Sequence, residues 1–291
     1  MTAQDVRFGI DPGHDMPVDE IVAYAQRADA AGFDLFTMSD HLQYAKPTCD
    51  PWTALTWVAA QTERIAVGSN ALCVPYREPA VLAKMAATLD RFSGGRLRLG
   101  LCVGKYDAEF ESFGLAVRPD AAKMTALQEA VEIIQALWSA DPGPVTYQGE
   151  VFGVKDAFID PRPERPIPLW IGTYGPRGLA LTGRRADGWL GSLPTVEFDA
   201  ALDKLRLVQD AARAAGRDPA ELTYACLVVV SFDAGASPTT RFIAGPDEAI
   251  AAQLVQIVRA GFTLPIVSLR QPDQCERFAS EIIPRVRAAL Q

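Results

Sequence analysis

The chain has 291 residues, 49% of them hydrophobic and 22% charged, with a net charge of −8. That length suits one large domain or two small ones, and an apolar fraction with no long polar tract lets nearly all of it bury a core. The acidic balance, with Lys and Arg scattered rather than interleaved with aromatics, argues against a nucleic-acid partner.

Residues 1–7 contain no apolar core of signal-peptide length, and no apolar run reaches the ~18 residues needed to span a bilayer, so a soluble, cytoplasmic protein without a membrane partner is expected. The five cysteines, Cys49, Cys73, Cys102, Cys226 and Cys275, form neither a CxxC pair nor an even framework and read as small reduced core residues. With two histidines and no clustered Cys/His spacing, a bound transition metal has little to hold it.

Val6 to Asp11 reads as a short strand, followed by a helix of 3.6-residue period from Ile21 that closes at Gly32. The run from Phe33 is a buried strand that ends abruptly in Ser39-Asp40-His41. Asp50-Pro51-Trp52 supplies an N-cap and an N1 proline for a helix through Thr62, in which Trp52 and Trp57 are expected to pack into the core. Ile65 to Val74 is a third strand, Pro79 to Phe92 a helix stopped by Ser93-Gly94-Gly95-Arg96, and Leu97 to Val103 a fourth strand. After a long helix from Pro119 to Trp138 the rhythm breaks. Val145 to Phe152 reads as two short strands around Gln148-Gly149-Glu150, a hairpin loop inserted between units four and five. Alternation then resumes: strand Pro168 to Gly172 and a helix from Pro176, then strand Asp187 to Gly191 and helix Val196 to Ala215. Strand Leu222 to Phe232, helix Pro246 to Ala260, strand Leu264 to Leu269 and helix Asp273 to Leu290 complete the chain.

Eight strand–helix units indicate an α/β fold, a single (β/α)8 TIM barrel over residues 1–291, in which the last strand closes on the first. An open doubly wound sheet is the alternative, but no Gly-x-Gly-x-x-Gly follows the first strand.

In a barrel the carboxyl ends of the strands line the ligand pocket. Those ends carry Asp40 and His41, Ser69-Asn70-Ala71, Cys102-Val103-Gly104, Gly172-Thr173 and the region of Gly191-Ser192. His41 is the one evident proton-transfer group, since imidazole titrates near neutrality, and Asp40 beside it could fix its tautomer; equally, an Asp-His pair can cap a turn. No Gly-x-Ser-x-Gly or Glu-x-x-His occurs, so a cofactor that carries the difficult chemistry is expected. Gly172-Thr173-Tyr174-Gly175-Pro176 has the ingredients of an anion site at a helix start, and also those of an ordinary turn. The small polar pair Ser69-Asn70 inside an apolar strand suggests a bulge or a ligand lying against it. Arg77 could meet an anionic substrate or pair with a loop carboxylate, and His14, on the first loop, is expected to face solvent.

Gly32-Phe33-Asp34 leading to Ser39-Asp40-His41, Pro79 to Lys84, Ser93-Gly94-Gly95-Arg96 before Leu99-Gly100, Ala186-Asp187-Gly188-Trp189, Gly245-Pro246-Asp247-Glu248 and Ala260-Gly261-Phe262 together resemble the luciferase-like monooxygenase superfamily, over nearly the whole chain. The closest likeness is to the branch that uses the deazaflavin coenzyme F420. That resemblance implies a (β/α)8 barrel, commonly a homodimer, acting on a small-molecule substrate. It places His41 beside the hydride-bearing ring carbon, in proton transfer, with Asp40 lining the same cavity. It implies a non-proline cis peptide at Asn70–Ala71, next to Ser69, as a bulge behind the ring, with Val103 and Gly104 at the ring's border. Gly172, Thr173, Tyr174 and Gly175 would hold the cofactor phosphate. One departure stands out: where sugar-phosphate dehydrogenases of the branch follow the strand-four glycine with a catalytic acid, this chain has Gly104-Lys105-Tyr106, which argues against the same substrate.

The leading expectation is therefore an F420-dependent oxidoreductase exchanging hydride with a small organic substrate. The alternatives are a two-component monooxygenase using reduced FMN from a separate reductase, and a non-catalytic protein that binds a flavin or deazaflavin.

Overall fold

The computed structural model describes residues 6–14, 16–45, 48–140, 143–233, 239 and 241–291. The first half contains strands β1 (Gly9–Ile10), β2 (Leu35–Met38), β3 (Ala66–Ser69), β4 (Leu72–Cys73) and β5 (Leu97–Cys102). Between them lie helices α1 (Ile21–Ala31), α2 (Pro51–Gln61) and α3 (Pro79–Phe92), and after β5 come α4 (Asp107–Ser112) and α5 (Asp120–Trp138). An antiparallel pair, β6 (Val145–Gln148) and β7 (Gly153–Ala157), stands off the barrel. The second half alternates β8 (Leu169–Gly172), α6 (Pro176–Arg185), β9 (Gly188–Ser192), α7 (Phe198–Ala214), β10 (Thr223–Ser231), the short β11 (Phe242–Ala244), α8 (Asp247–Arg259) and β12 (Leu264–Leu269).

The parallel pairings run β12-β1-β2-β3-β5-β8-β9-β10 and back to β12, with β4 continuing β3, so eight strands close a barrel. Closure rests on small residues. Gly9 pairs with both Ile266 and Leu35, and a Cβ on it would lie 2.9 Å from the Ile266 side chain. Leu35, Ala66, Trp170, Leu190, Ala225, Leu264 and Ile266 form a buried cluster inside the barrel, while alternate residues such as Phe36, Val67 and Val228 face the helices.

Local signals decide where the elements begin and end. Asp50 caps α2 by accepting from the Thr53 amide at 2.7 Å, and Gly32 ends α1 in the left-handed region at φ 90°. Trp52 is buried, but Trp57, expected in the core, is 61% exposed. Five helical residues rotate a side chain by about 140°, away from the packed face. The terminal helix is interrupted by a π turn, Phe278–Ile282, in which the Ile283 amide donates to the Phe278 carbonyl. Pro284, lacking an N–H, follows directly and accounts for the altered ladder. The second strand of the β6–β7 pair starts at Gly153 rather than among residues 150–152, because the amides of Glu150, Val151 and Phe152 all donate to the buried Glu129 carboxylate of α5. Among the described residues no helix is long and apolar enough to cross a membrane.

Asp29, at the end of α1, similarly holds the turn before β3 by accepting from the amides of Glu63, Arg64 and Ile65. Burial opposes its ionisation, but those donors and the Arg64 guanidinium prevail and hold its pKa below the ordinary 3.8. The stabilisation is thus complete above the unfolded value and lost as pH falls through the folded one. Asp29→Ala is expected to cost about 3 kcal/mol in urea unfolding at pH 7, with the deficit shrinking in acid. An unchanged midpoint at pH 7 would contradict this role.

Candidate active site

The strand-end residues named from the sequence gather at the carboxyl mouth, where the β3–β4 connection shapes one wall. Gly68 pairs with Arg98 but Leu72 with Leu101, so the β3–β4 side carries one more residue than β5, a bulge. The Asn70–Ala71 peptide within it is cis. Ser69 bridges the interruption: its hydroxyl donates to the Gly100 carbonyl at 2.8 Å and accepts from the Gly100 amide at 2.9 Å. Ser69 therefore serves the sheet, and its hydroxyl is committed there. Ala71, Cys102 and Leu190 lie around Gly172, where a Cβ would come within 3.5 to 3.8 Å of their own Cβ atoms. The result is a wall of small side chains against which a flat ring can lie.

His41 does not pair with Asp40. Its Nδ1 lies 2.8 Å from Oε1 of Glu109, on α4, which corrects the expectation that its sequence neighbour fixes the tautomer. Successive residues of an extended segment point to opposite sides, so the pairing acid has to come from another element. Glu109, 5% exposed, also accepts from the Leu42 amide at 2.8 Å and the Tyr76 hydroxyl at 3.1 Å. Burial opposes its ionisation, yet the bonds from His41, Leu42 and Tyr76 hold its pKa below the usual glutamate range. An ionised carboxylate only accepts, so Nδ1 carries the proton and Nε2 is left for exchange with a ligand.

Glu109 escaped notice in the sequence because six-residue α4 is too short to show a period. Its traces are Phe110 and Phe113 three residues apart and Gly114, whose φ of 70° stops the helix. Gly104 prepares the way: its φ is 75°, and a Cβ there would lie 2.6 Å from the buried Phe110 ring. His14, expected in solvent, is half-buried. Its ring meets that of His41 edge-on at 5.1 Å and stacks on Tyr44 at 4.2 Å, while Tyr106 tilts against His41 at 5.4 Å. Both histidines thus share one aromatic cluster at the mouth.

Asp40 is buried and belongs to a second network. Arg77 donates to it at 2.6 Å and to Asp50 at 2.7 Å, and the Cys73 amide donates at 2.9 Å. Arg77 thereby takes the loop-carboxylate role rather than standing free for an anionic substrate. Burial raises the Asp40 pKa despite these donors.

On the opposite wall the turn after β8 leads into α6, with Gly175 as N-cap and Pro176 at N1. No side chain caps the helix, and nothing lies within 4 Å of where a Gly175 Cβ would stand. The open amides and helix dipole there suit an anion. The turn is braced from behind: the buried Trp189 Nε1 donates to the Thr173 carbonyl at 2.9 Å. The Thr173 side chain sits where only a glycine, Gly178, leaves room. Tyr174 packs edge-on to Trp189, and burial pushes its phenol up to about 12.

The sequence profile described as luciferase-like monooxygenase matches residues 4–240. The chain belongs to that family. It is accordingly an enzyme of a family of oxidoreductases, and its relatives include F420-dependent enzymes. A curated F420-dependent glucose-6-phosphate dehydrogenase of Nakamurella multipartita is 34% identical over 288 residues, covering 94% of this chain and 81% of its own. Among solved structures, an F420-dependent secondary alcohol dehydrogenase in complex with an F420-acetone adduct superposes with a TM-score of 0.88 at 19% identity, covering 98% of this chain and 99% of the other. The oxygenating constituent of 3,6-diketocamphane monooxygenase of Pseudomonas putida, in complex with FMN, gives a TM-score of 0.79 at 17% identity over 97% and 99%. At those identities the likeness is one of fold within the family.

Arg77→Met is expected to lower stability by about 3 kcal/mol at pH 7, since it leaves Asp40 buried with one amide partner. As the Asp40 pKa is already raised, ionisation is what becomes costly, so the loss should grow as pH rises through its folded value. Chemical unfolding between pH 5 and 8, with Arg77→Met/Asp40→Asn as the compensated control, checks the sign.

Proposed function

We propose that this protein is an F420-dependent oxidoreductase that interconverts a small alcohol and its carbonyl compound, with His41 moving the proton. The observation that carries it is the His41–Glu109 pair at the barrel mouth, set among the small-residue wall and the uncapped start of α6.

The residues fit the cofactor. Gly172, Thr173, Tyr174 and Gly175 offer backbone amides and a helix start to its phosphate, and Ala71, Val103 and Gly104 would border its planar ring. When bound, the deazaflavin supplies a two-electron hydride acceptor or donor and leaves the proton to the protein. In the oxidative direction His41 takes the substrate hydroxyl proton at Nε2, while the Glu109 carboxylate at Nδ1 stabilises the imidazolium that results. In the reductive direction the same Nε2 returns the proton to the carbonyl oxygen. Tyr76 and the Leu42 amide keep Glu109 in place, so the imidazole is oriented before substrate arrives. Asp40, with Arg77 and Cys73 as partners, fixes the strand end behind His41. The glucose-6-phosphate dehydrogenase and alcohol dehydrogenase relatives support the reaction class, while the substrate within it is open to assay. The homodimer belongs to the same reading and is open to sedimentation analysis.

Titration of the purified protein with F420, followed by its fluorescence, and with FMN, followed by absorbance, tests the cofactor. Tight FMN binding with none of F420 would replace this reading by the flavin monooxygenase one. His41→Asn is expected to lose about 10²- to 10⁴-fold in kcat with cofactor affinity retained, and Glu109→Gln to lose less. Full turnover by His41→Asn would remove the assigned role.

A further inference from the structure

At the end of the barrel away from the candidate active site, the starts of β1, β5, β8, β9 and β10 enclose a cavity of about 250 Å³ lined by Arg7, Arg98, Trp170, Asp187, Glu221 and Thr223, among others. Two features make it unlike a solvent-filled dimple. The Trp170 indole is 2% exposed, and its Nε1 has no hydrogen-bond partner. A buried N–H donor left unpaired is costly and calls for an acceptor in the cavity it lines. The second feature is a pair of arginines in the lining, Arg7 and Arg98, with the carboxylates of Asp187 and Glu221 at the rim. Burial pushes the Arg98 guanidinium below its ordinary pKa, and repulsion from Arg7 and Arg165 adds to this, against partial relief from Asp90. Arg98 uses only Nη1 in its bonds to the Gly95 and Leu97 carbonyls, and Arg7 donates to the Thr223 hydroxyl at 3.3 Å.

We propose that this cavity is a binding site for a phosphoryl oxyanion, held by Arg7, Arg98 and the Trp170 Nε1–H. The donors come from β5, β8 and the segment leading into β1, around the lumen, a disposition that suits a tetrahedral acceptor better than a planar carboxylate, which accepts in its own plane. The volume exceeds what free phosphate needs and leaves room for a small esterified group. Asp187 and Glu221 on the rim can accept from hydroxyls of such a group, and the Thr223 hydroxyl can donate. The site is distinct from the turn at α6, because it lies at the opposite mouth and shares none of its residues.

Isothermal titration of the full chain, saturated with F420 so that the α6 turn is taken, with inorganic phosphate, glycerol 3-phosphate and malonate tests the proposal. Binding of either phosphate compound, weakened about tenfold or more by Trp170→Phe and by Arg98→Met, is the expected result. Tighter binding of the ester than of free phosphate identifies a phosphorylated metabolite as the ligand, and the reverse order identifies phosphate itself. Trp170→Phe removes the N–H while keeping an aromatic ring, so the test stands even if Arg98→Met folds poorly. Absence of phosphate binding, affinity unchanged in Trp170→Phe, or tighter binding of malonate would each overturn it. Should F420 not bind at all, the same titrations on the apoprotein still decide, because the two variants report only on the lower mouth.

Discussion

Trp170 lies inside the barrel near the strand starts, and the packing of the lumen depends on the room made for it. Its two register partners are Gly100 and Gly188, and a Cβ on Gly188 would approach the indole to 2.7 Å. On Gly100 a Cβ would lie 2.6 Å from the Leu190 side chain and 2.1 Å from the Ser69 carbonyl. Eight strands leave a lumen just wide enough for side chains, and the indole fills it together with Leu35, Ala66, Leu190, Ala225, Leu264 and Ile266. Towards the strand ends Gly172 leaves room beside Ala71 and Cys102, and at the strand starts Trp170 lines a cavity.

The upper mouth keeps its charges in two compartments. Glu109 serves His41, Leu42 and Tyr76, whereas Asp40 serves Arg77 and Cys73, so the two carboxylates share none of these donors. The separation has a chemical consequence. A buried carboxylate shared between a guanidinium and an imidazole would favour the fixed cation and leave the imidazole weakly oriented. With Asp40 paired to Arg77, the Glu109 charge is available to the His41 imidazole.

The architecture was legible because it rests on periodicity. Strand and helix alternation, the Asp50-Pro51 cap, the proline at the start of α3 and the glycine stop at Gly32 act within a few residues of where they appear, and the elements followed them. The bulge at Asn70–Ala71 was also foreseeable, from two polar residues inside an apolar strand together with the family likeness. What stayed hidden depends on contacts distant in sequence. Glu109 is 68 residues from His41, and no local pattern marks a carboxylate on a six-residue helix as the partner of a strand-end imidazole. His14 looked like a loop residue until the fold laid it against Tyr44, and Trp57 looked like core until its helix turned it outward.

The same reasoning explains why the adjacent acid was the wrong choice. Asp40 and His41 follow the end of β2, and their side chains go to different partners, Arg77 and Glu109, so adjacency in sequence did not bring contact. An acid that meets the imidazole must approach from across the mouth, and α4 supplies it because Gly104 turns the chain back over the pocket at positive φ. That geometry also lets the carboxylate collect a backbone amide and a phenol, which together offset the desolvation it incurs at 5% exposure. The position after Gly104 is Lys105, and the acid that meets the imidazole, Glu109, lies on α4 beyond it.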